Sequence, residues 1–342
     1  MNYKRILIFN VNWLGDVLFS TAVIRNIRRN YPDSYIACVI PGRCGLILEG
    51  NPNLNEVIIF DEKGRDKGIF AQLRFVCLLA GKKFDTVFLL HRSASRAFIC
   101  YLAGIPERVG HFTKKRALLL TKNIMPPERD SLHRIDYYLD VIEKAGLKVY
   151  DRHTEFFFSK DDENYVEKFL KDNAIIGKDF VVGVNLGGNW LPKRWPVRHW
   201  AVLIDRLIGE LGLKVIITGS DSDAALIKEA QGDMKQKPIV AAGAFSLKQF
   251  GALCKRLDLF ITADTGPLHI ANASGAKKII ALFGPTDPDI TGPYPQGNAV
   301  ILKKDIGCKI PCYKVDCKDN RCMAAITPEE VLKQVKLILG KQ

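Results

Sequence analysis

Short apolar runs, each followed by a longer amphipathic segment, recur along this chain and leave few folds open to it. Residues 6–11, 35–40, 56–60 and 86–90 read as strands buried on both faces, with helices expected at 16–30, 69–80 and 94–103 between them. After residue 178 a second series begins, with strands at 180–185, 214–218, 239–240, 257–262 and 278–283 and helices at 199–211, 223–231 and 247–256. Strands alternating with helices build parallel sheets covered on both faces, because a parallel crossover consumes a helix's length of chain. Two such series predict an α/β protein of two Rossmann-like, doubly wound parallel-sheet domains. The expected division is an N-terminal domain at 1–158, a connector at 159–177, a second domain at 178–326 and a closing helix at 327–342. The charged stretch 159–173 reads as helix, and Thr327 followed by Pro328 is an N-cap with proline in the first turn.

Other classes fall away on composition. A length of 342 residues suits two domains of ordinary size, each able to bury a core. No apolar run approaches the roughly 20 residues of a membrane-spanning helix. The start, MNYKRILIFNVNWLGD, runs into a strand and then meets glycine and acid where a signal peptide would stay apolar, so a cytoplasmic protein is expected. Nine cysteines, an odd number, suggest reduced thiols rather than a disulfide framework. The net charge of +13 suits an anionic partner. Residues 1–150 hold 23 Lys and Arg against 14 Asp and Glu, so the N-terminal half is the more basic one. Its cations are scattered and accompany no nucleic-acid-binding motif, which argues against nucleic acid as the partner.

In open parallel sheets ligands bind beyond the carboxyl ends of the strands, so polar residues in those positions carry the functional signal. Four such places stand out. After the first strand, Gly15 would let backbone approach a ligand, and Asp16 either complements the helix dipole or acts chemically. After the 180–185 strand come Gly187, Gly188 and Asn189, then Lys193 and Arg194. A glycine loop followed by cations can wrap and neutralise a pyrophosphate. It is neither GxGxxG nor GxxxxGK[ST], so dehydrogenase and P-loop readings lose their support. Third, Asp221 and Asp223 spell a D-x-D pattern that either caps a helix or holds a metal or a ribose hydroxyl. Fourth, Asp264, Thr265 and Gly266 sit at the strand-to-helix corner that opens a helix at 265–274. Backbone N–H groups there lack partners, and the corner can hold a phosphate. His269 shares the helix face of Thr265 and Gly266 and would point at the same ligand, unless it is a satisfied core histidine.

Cys308, Cys312, Cys317 and Cys322 fall within fifteen residues, with three, four and four residues between them. Those spacings are near those of structural zinc sites, and a reduced, packed cysteine loop is the alternative. The expectation is no metal.

Taken in order, several stretches resemble the ADP-heptose:lipopolysaccharide heptosyltransferases, the inverting GT-B glycosyltransferases of family 9. These are the LGD after the first strand, HRSASRAFICYLAGIPERVG at 91–110, HRIDYYLDVIEKAGL at 133–147, KRWP at 193–196 and TADTGPLHIANASGAKKIIALFGPTDP at 262–288. The middle segments resemble members that add the second heptose.

The resemblance implies a GT-B architecture whose two domains face each other across a cleft, an ADP-heptose donor and a lipopolysaccharide inner-core acceptor. It gives Asp16 the role of general base and Lys193 that of stabilising the departing ADP. Gly188, Asn189, Asp221, Asp264, Thr265, Gly266 and His269 would bind donor, and Gly15, Arg92 and Arg96 acceptor. Gly188 and Asn189 stand where some members carry two threonines. Fixed cations and a helix N-terminus would serve the leaving group, so no cofactor is expected.

The acceptor implies a peripheral location on the cytoplasmic face of the inner membrane. Arg92, Arg96, Arg108, Lys114, Lys115 and Arg116 would meet anionic sugars or lipid headgroups, or else form a solvated basic face. Two other functions remain open: a non-catalytic nucleotide-sugar-binding protein, and a family 9 transferase with another donor or acceptor.

Overall fold

A computed structural model of the chain describes residues 3–340 except Lys63, Gln296, Tyr313, Val315 and Lys318. The chain divides into two compact units, Met1–Phe157 and Phe158–Gln342. In the first, β1 (Arg5–Phe9), β2 (Tyr35–Ile40), β3 (Glu56–Ile59), β4 (Thr86–Leu89), β5 (Glu107–His111) and β6 (Lys122–Ile124) form one sheet in the order β3-β2-β1-β4-β5-β6. In the second, β7 (Val181–Asn185), β8 (Lys214–Gly219), β9 (Ile239–Ala242), β10 (Leu259–Ala263), β11 (Ile279–Phe283) and β12 (Ala299–Lys303) are ordered β12-β11-β10-β7-β8-β9. All pairings are parallel. Each sheet therefore starts at its centre, winds to one edge, returns and winds to the other, which is the doubly wound arrangement with a helix layer on each face.

The central strands are the ones the apolar runs announce. Ile6, Leu7 and Ile8 of β1 are fully buried, as are Phe260 and Ile261 of β10. Burial on both faces removes the polar alternation of a half-exposed strand. β5, β6 and β12 are not expected from the pattern. β5 opens on Glu107 and Arg108 and β6 has three residues, so neither shows a continuous apolar run; β12 does carry one, Ala299–Leu302, as a short and only partly buried edge strand. The expected single helix at 16–30 is two, Leu14–Phe19 and Thr21–Asn30. Ser20 makes the joint: its hydroxyl donates to the Val17 carbonyl at 2.7 Å and accepts from the Asn10 amide at 2.7 Å.

Helix Lys160–Asp172 opens on a capping box between Ser159 and Asp162, and it packs on helix Leu247–Arg256 inside the second unit. Helix Pro328–Ile338 opens on a capping box between Thr327 and Glu330 and packs on helix Val197–Gly209. Among the described residues no helix is long and apolar enough to cross a membrane.

β7 carries a glycine at its centre, where a strand interior usually carries a branched side chain. A Cβ on Gly183 would collide with the Leu257 side chain and lie 3.0 Å from the Phe260 ring. The glycine makes room on the face of β7 for the side chains of Leu257, which ends the 247–256 helix, and Phe260 of the neighbouring β10. Gly183→Val should lower stability by about 1–3 kcal/mol through overpacking, read as a fall in the urea midpoint at unchanged slope.

Candidate active site

Both sheets reverse their direction of winding between a central pair, β1 and β4 in the first unit and β7 and β10 in the second. The loops beyond the carboxyl ends of such a pair diverge to opposite faces and leave a crevice. The singled-out residues on loops after β1, β4, β7 and β10 lie at these two places.

In the first unit the loop after β1 is held from below. Asn10 is buried, and its own carbonyl accepts from Arg96 Nη1 at 2.8 Å. Arg96 Nη2 donates to Asn12 Oδ1 at 2.6 Å and to Glu62 Oε2 at 3.0 Å, and its guanidinium lies 5.2 Å from the centre of the Phe9 ring. Arg96 stands on helix Ala94–Leu102, which follows β4, so one buried cation ties the loops after β1 and β4 together. That placement suits positioning of the loop more than direct contact with an acceptor. Arg92, by contrast, is exposed at the entry to the same helix.

Asp16 lies half-buried in the first turn of helix Leu14–Phe19, next to Gly15. Its Oδ1 accepts a hydrogen bond from the Tyr138 hydroxyl at 2.7 Å. Tyr138 comes from helix Arg134–Glu143, and burial together with the neighbouring Asp16 charge raises its phenol well above the ordinary value, so it stays a proton donor to Asp16. The residue pattern had not singled out Tyr138. It is one of two adjacent tyrosines, and only the fold shows which of them faces Asp16. Trp13 is exposed in the loop just before Asp16, with the Arg43 guanidinium 5.2 Å from its ring centre.

The other cations of the basic N-terminal stretch separate into two groups. Arg116 is fully buried and donates to the carbonyls of His111 at 2.9 Å and His91 at 2.6 Å. Arg108 donates to the Leu119 carbonyl at 2.6 Å. Only Arg92, Lys114 and Lys115 of the six are exposed.

In the second unit three loops converge. A Cβ on Gly187 would collide with the Asp223 carboxylate, and one on Gly188 would lie 2.8 Å from the Thr265 methyl, so the glycines allow the loops after β7, β8 and β10 to touch. Arg194 Nε donates to the Gly188 carbonyl at 2.8 Å and fixes the loop's curve. Trp195 anchors the next residue: it is buried, donates its indole N–H to the Ile326 carbonyl at 2.9 Å and packs edge-on against Trp200. Lys193 is thereby held over the corner after β10. Its Nζ lies 2.6 Å from Asp264 Oδ2 and 5.3 Å from the centre of the Trp190 ring.

Asp264 is the buried hub of this corner. Besides Lys193 it meets the Thr291 hydroxyl at 3.3 Å on Oδ2 and His269 Nε2 at 3.4 Å on Oδ1. Burial acts to raise its pKa, but the His269 hydrogen bond and the Lys193 charge outweigh it and hold the carboxyl well below the usual range. Thr265 is the N-cap of helix Gly266–Ala273, yet its hydroxyl makes no cap bond and donates instead to the Ala263 carbonyl at 3.3 Å. The first turn of that helix is not closed by its own cap side chain, and it opens beside an ammonium group.

The remaining expected donor contacts are placed differently. Asp223 closes a capping box with Ser220, its carboxylate accepting from the Ser220 backbone at 2.8 Å and hydroxyl at 2.7 Å. Asp221 is exposed and lies against Gly243, which has φ +70°. Asn189 is exposed on the glycine loop. Cys308, Cys312, Cys317 and Cys322 are free thiols, the first exposed and the others half-buried, with Cys322 packed under Gly284. Among the described residues no group of three or more His, Cys, Asp or Glu is arranged to hold a metal ion.

Comparison with known proteins agrees with this architecture. Residues 73–322 match glycosyltransferase family 9 (heptosyltransferase). Lipopolysaccharide heptosyltransferase 2 of Salmonella typhimurium is 27% identical, over 99% of this chain and 99% of its own length. A crystal structure of a family 9 glycosyl transferase from Veillonella parvula superposes with a TM-score of 0.90 at 28% identity, covering 99% of this chain and 98% of that one. The E. coli ADP-heptose lipopolysaccharide heptosyltransferase II superposes at 0.77 with 24% identity, covering 98% of each. With its two doubly wound GT-B units and a match across most of its length, the chain belongs to glycosyltransferase family 9, the heptosyltransferases.

Proposed function

We propose that this enzyme moves heptose from ADP-L-glycero-D-manno-heptose to the inner core of lipopolysaccharide, onto its first heptose, with inversion at the anomeric carbon. The observation that carries the reading is the Lys193–Asp264 pair beside the opening of helix Gly266–Ala273, at the β7/β10 crevice. A nucleoside diphosphate leaves with its electron pair and gains charge as the glycosidic bond breaks, so a site for it needs fixed positive charge where that charge develops. An ammonium and a helix N-terminus supply it. His269, whose Nε2 lies 3.4 Å from Asp264 Oδ1, would contact the donor from the same helix face. The relatives' names supply the sugar and the acceptor class.

The first unit carries the acceptor chemistry in this reading. The acceptor hydroxyl oxygen attacks the anomeric carbon, its proton passes to Asp16, and the bond from that carbon to the ADP oxygen breaks in the same displacement. Tyr138 fixes the Asp16 rotamer, leaving Oδ2 for the acceptor. Gly15 and the exposed Arg92 are the nearest candidates for contact with an anionic acceptor. The reading carries with it a peripheral location at the cytoplasmic face of the inner membrane.

Three outcomes test it. Asp16→Asn should cut transfer about a hundredfold to ten-thousandfold while ADP binding, followed by calorimetry, is unchanged; donor binding with no turnover in the wild type would instead make the protein a non-catalytic binder. Tyr138→Phe, which removes the hydrogen bond that fixes the Asp16 rotamer, should lower kcat/KM about tenfold while ADP binding, followed by calorimetry, is unchanged. Excess chelator should leave the rate of ADP release unchanged, since no step is assigned to a metal.

The donor corner has its own pH signature. The Asp264 carboxyl titrates lower in the folded protein than its ordinary value of 3.8, so its contribution to stability is full above that value and is lost as pH falls through the lower folded value. Asp264→Asn should lose this acid-side dependence below about pH 4. It should also unfold more easily at pH 7, by about 3 kcal/mol, the low end for a broken buried pair because Lys193 can reach water. Urea titrations of both proteins from pH 3 to pH 7, as ordinary assay values about the carboxylate range, would read it.

A further inference from the structure

One face of the first unit is apolar where a water-facing surface is ordinarily polar. On helix Ile69–Gly81, Phe70, Leu73, Arg74, Cys77 and Leu78 recur at the three-and-four spacing of a single helical stripe, and all are exposed. Phe70 is 85% exposed and Ile69, at the helix start, 70%. The opposite stripe, Phe75, Val76 and Leu79, is in the core, so this helix is apolar on both sides. Helix Ala94–Leu102 extends the face with Phe98 and Tyr101, whose rings are stacked, and the turn Ala117–Leu119 adds Leu118, 98% exposed. The first helix packs on the second and the second on the turn, which makes the surface continuous. Contiguous exposed apolar area of this kind marks an interaction site.

Its charge is one-sided. Residues 67–127 contain eleven Lys and Arg and two acids, Asp85 and Glu107. Both acids are occupied away from the face: Asp85 accepts from the backbone N–H groups of Lys4 and Arg5 at 2.7 Å, and Glu107 accepts from the Tyr3 hydroxyl. Neither the 69–81 helix, the 94–102 helix nor the 117–119 turn contains an acid. Arg74 lies within the apolar stripe, Arg92 precedes the second helix, and Lys114 and Lys115 precede the turn, all exposed.

We propose that this face docks the enzyme on an anionic lipid bilayer, with Phe70, Leu73 and Leu118 entering the headgroup layer and Arg74, Arg92, Lys114 and Lys115 meeting lipid phosphates. An apolar stripe rimmed by cations and free of acids fits such a surface on both counts. A second copy of the chain fits less well, because a two-fold contact would set this basic face against itself. The docking surface stands on its own composition and rests on the proposed function only for which leaflet is met.

Flotation with phosphatidylglycerol-containing vesicles tests it, with pure phosphatidylcholine vesicles as the control. The wild-type chain should float with the anionic vesicles, weakly or not at all with the neutral ones, and less at high salt. Lys114→Glu should weaken binding about fivefold or more. Phe70→Ser, Leu73→Ser and Leu118→Ser together should weaken it at least about a hundredfold at every salt concentration. These three side chains lie outside the core, so unchanged circular dichroism and unchanged ADP release on a soluble acceptor analogue show that the variant is folded. Wild-type protein that does not float with anionic vesicles, or a triple variant that floats as well as wild type, overturns the proposal. So does a wild-type dimer in sedimentation velocity that the triple variant abolishes, which would assign the face to a second copy.

Discussion

A parallel sheet sends every strand out through the same edge, and the rest of this molecule follows from that constraint. Once all pairings in a sheet are parallel, each strand-to-helix loop must open at the carboxyl edge, and the point where winding reverses leaves two neighbouring loops diverging. Here those loops follow β7 and β10 in one sheet and β1 and β4 in the other. Lys193 and Asp264 are 71 residues apart and meet because β7 and β10 are neighbours. Arg96 and Asn10 are 86 apart and meet for the same reason on β1 and β4.

Placing a carboxylate in such a crevice raises an electrostatic problem that the neighbouring residues resolve. Asp264 is almost wholly buried, and a lone charge there would neutralise instead of persisting. His269 and Lys193 keep it ionised, and Asp264 in turn holds the Lys193 ammonium at a fixed place beside the helix opening. The pair is therefore a poised cation as much as a structural bond. In the proposed reaction an incoming diphosphate would compete with Asp264 for the same ammonium, with no side chain needing to travel far. Arg194 and Trp195, which directly follow Lys193, make that placement rigid by bonding the Gly188 and Ile326 carbonyls.

The central strands and their helices were legible because burial on both faces writes an unbroken apolar run, and the closing helix was legible because Thr327 followed by Pro328 is an N-cap with proline in the first turn; the capping boxes at Ser159 and Thr327 emerge only in the fold. β5 and β6 left no such trace, since short strands take their stability from a neighbour already in place, whereas the four-residue apolar run of β12 is visible but too short to stand out. The glycine loop, Lys193 and the Asp264 corner could be read as candidates because position in a strand-helix alternation puts them at one edge. Tyr138 could not, because its role depends on which face of helix Arg134–Glu143 meets Asp16. Arg96 and Arg116 were read with the other cations as a basic face. Their partners are largely backbone carbonyls, which carry no residue-type signal, and the fold draws both inside.

That separation of the cations bears on how an apolar face can persist in water. Exposed apolar stripes are a liability, because any two copies that meet can bury them against each other. Acids interspersed among the cations would make the face nearly neutral and remove the barrier to such contact. In the 67–127 stretch the two acids are tied down near β1, while Arg74, Arg92, Lys114 and Lys115 remain outside. Two such faces repel over roughly a Debye length, about 8–10 Å at physiological salt, before their apolar residues can touch. An anionic surface meets no such barrier. The same residues that keep the helices Ile69–Gly81 and Ala94–Leu102 apart from their copies thus leave them open to a partner of opposite charge, and the missing acids matter as much as the cations present.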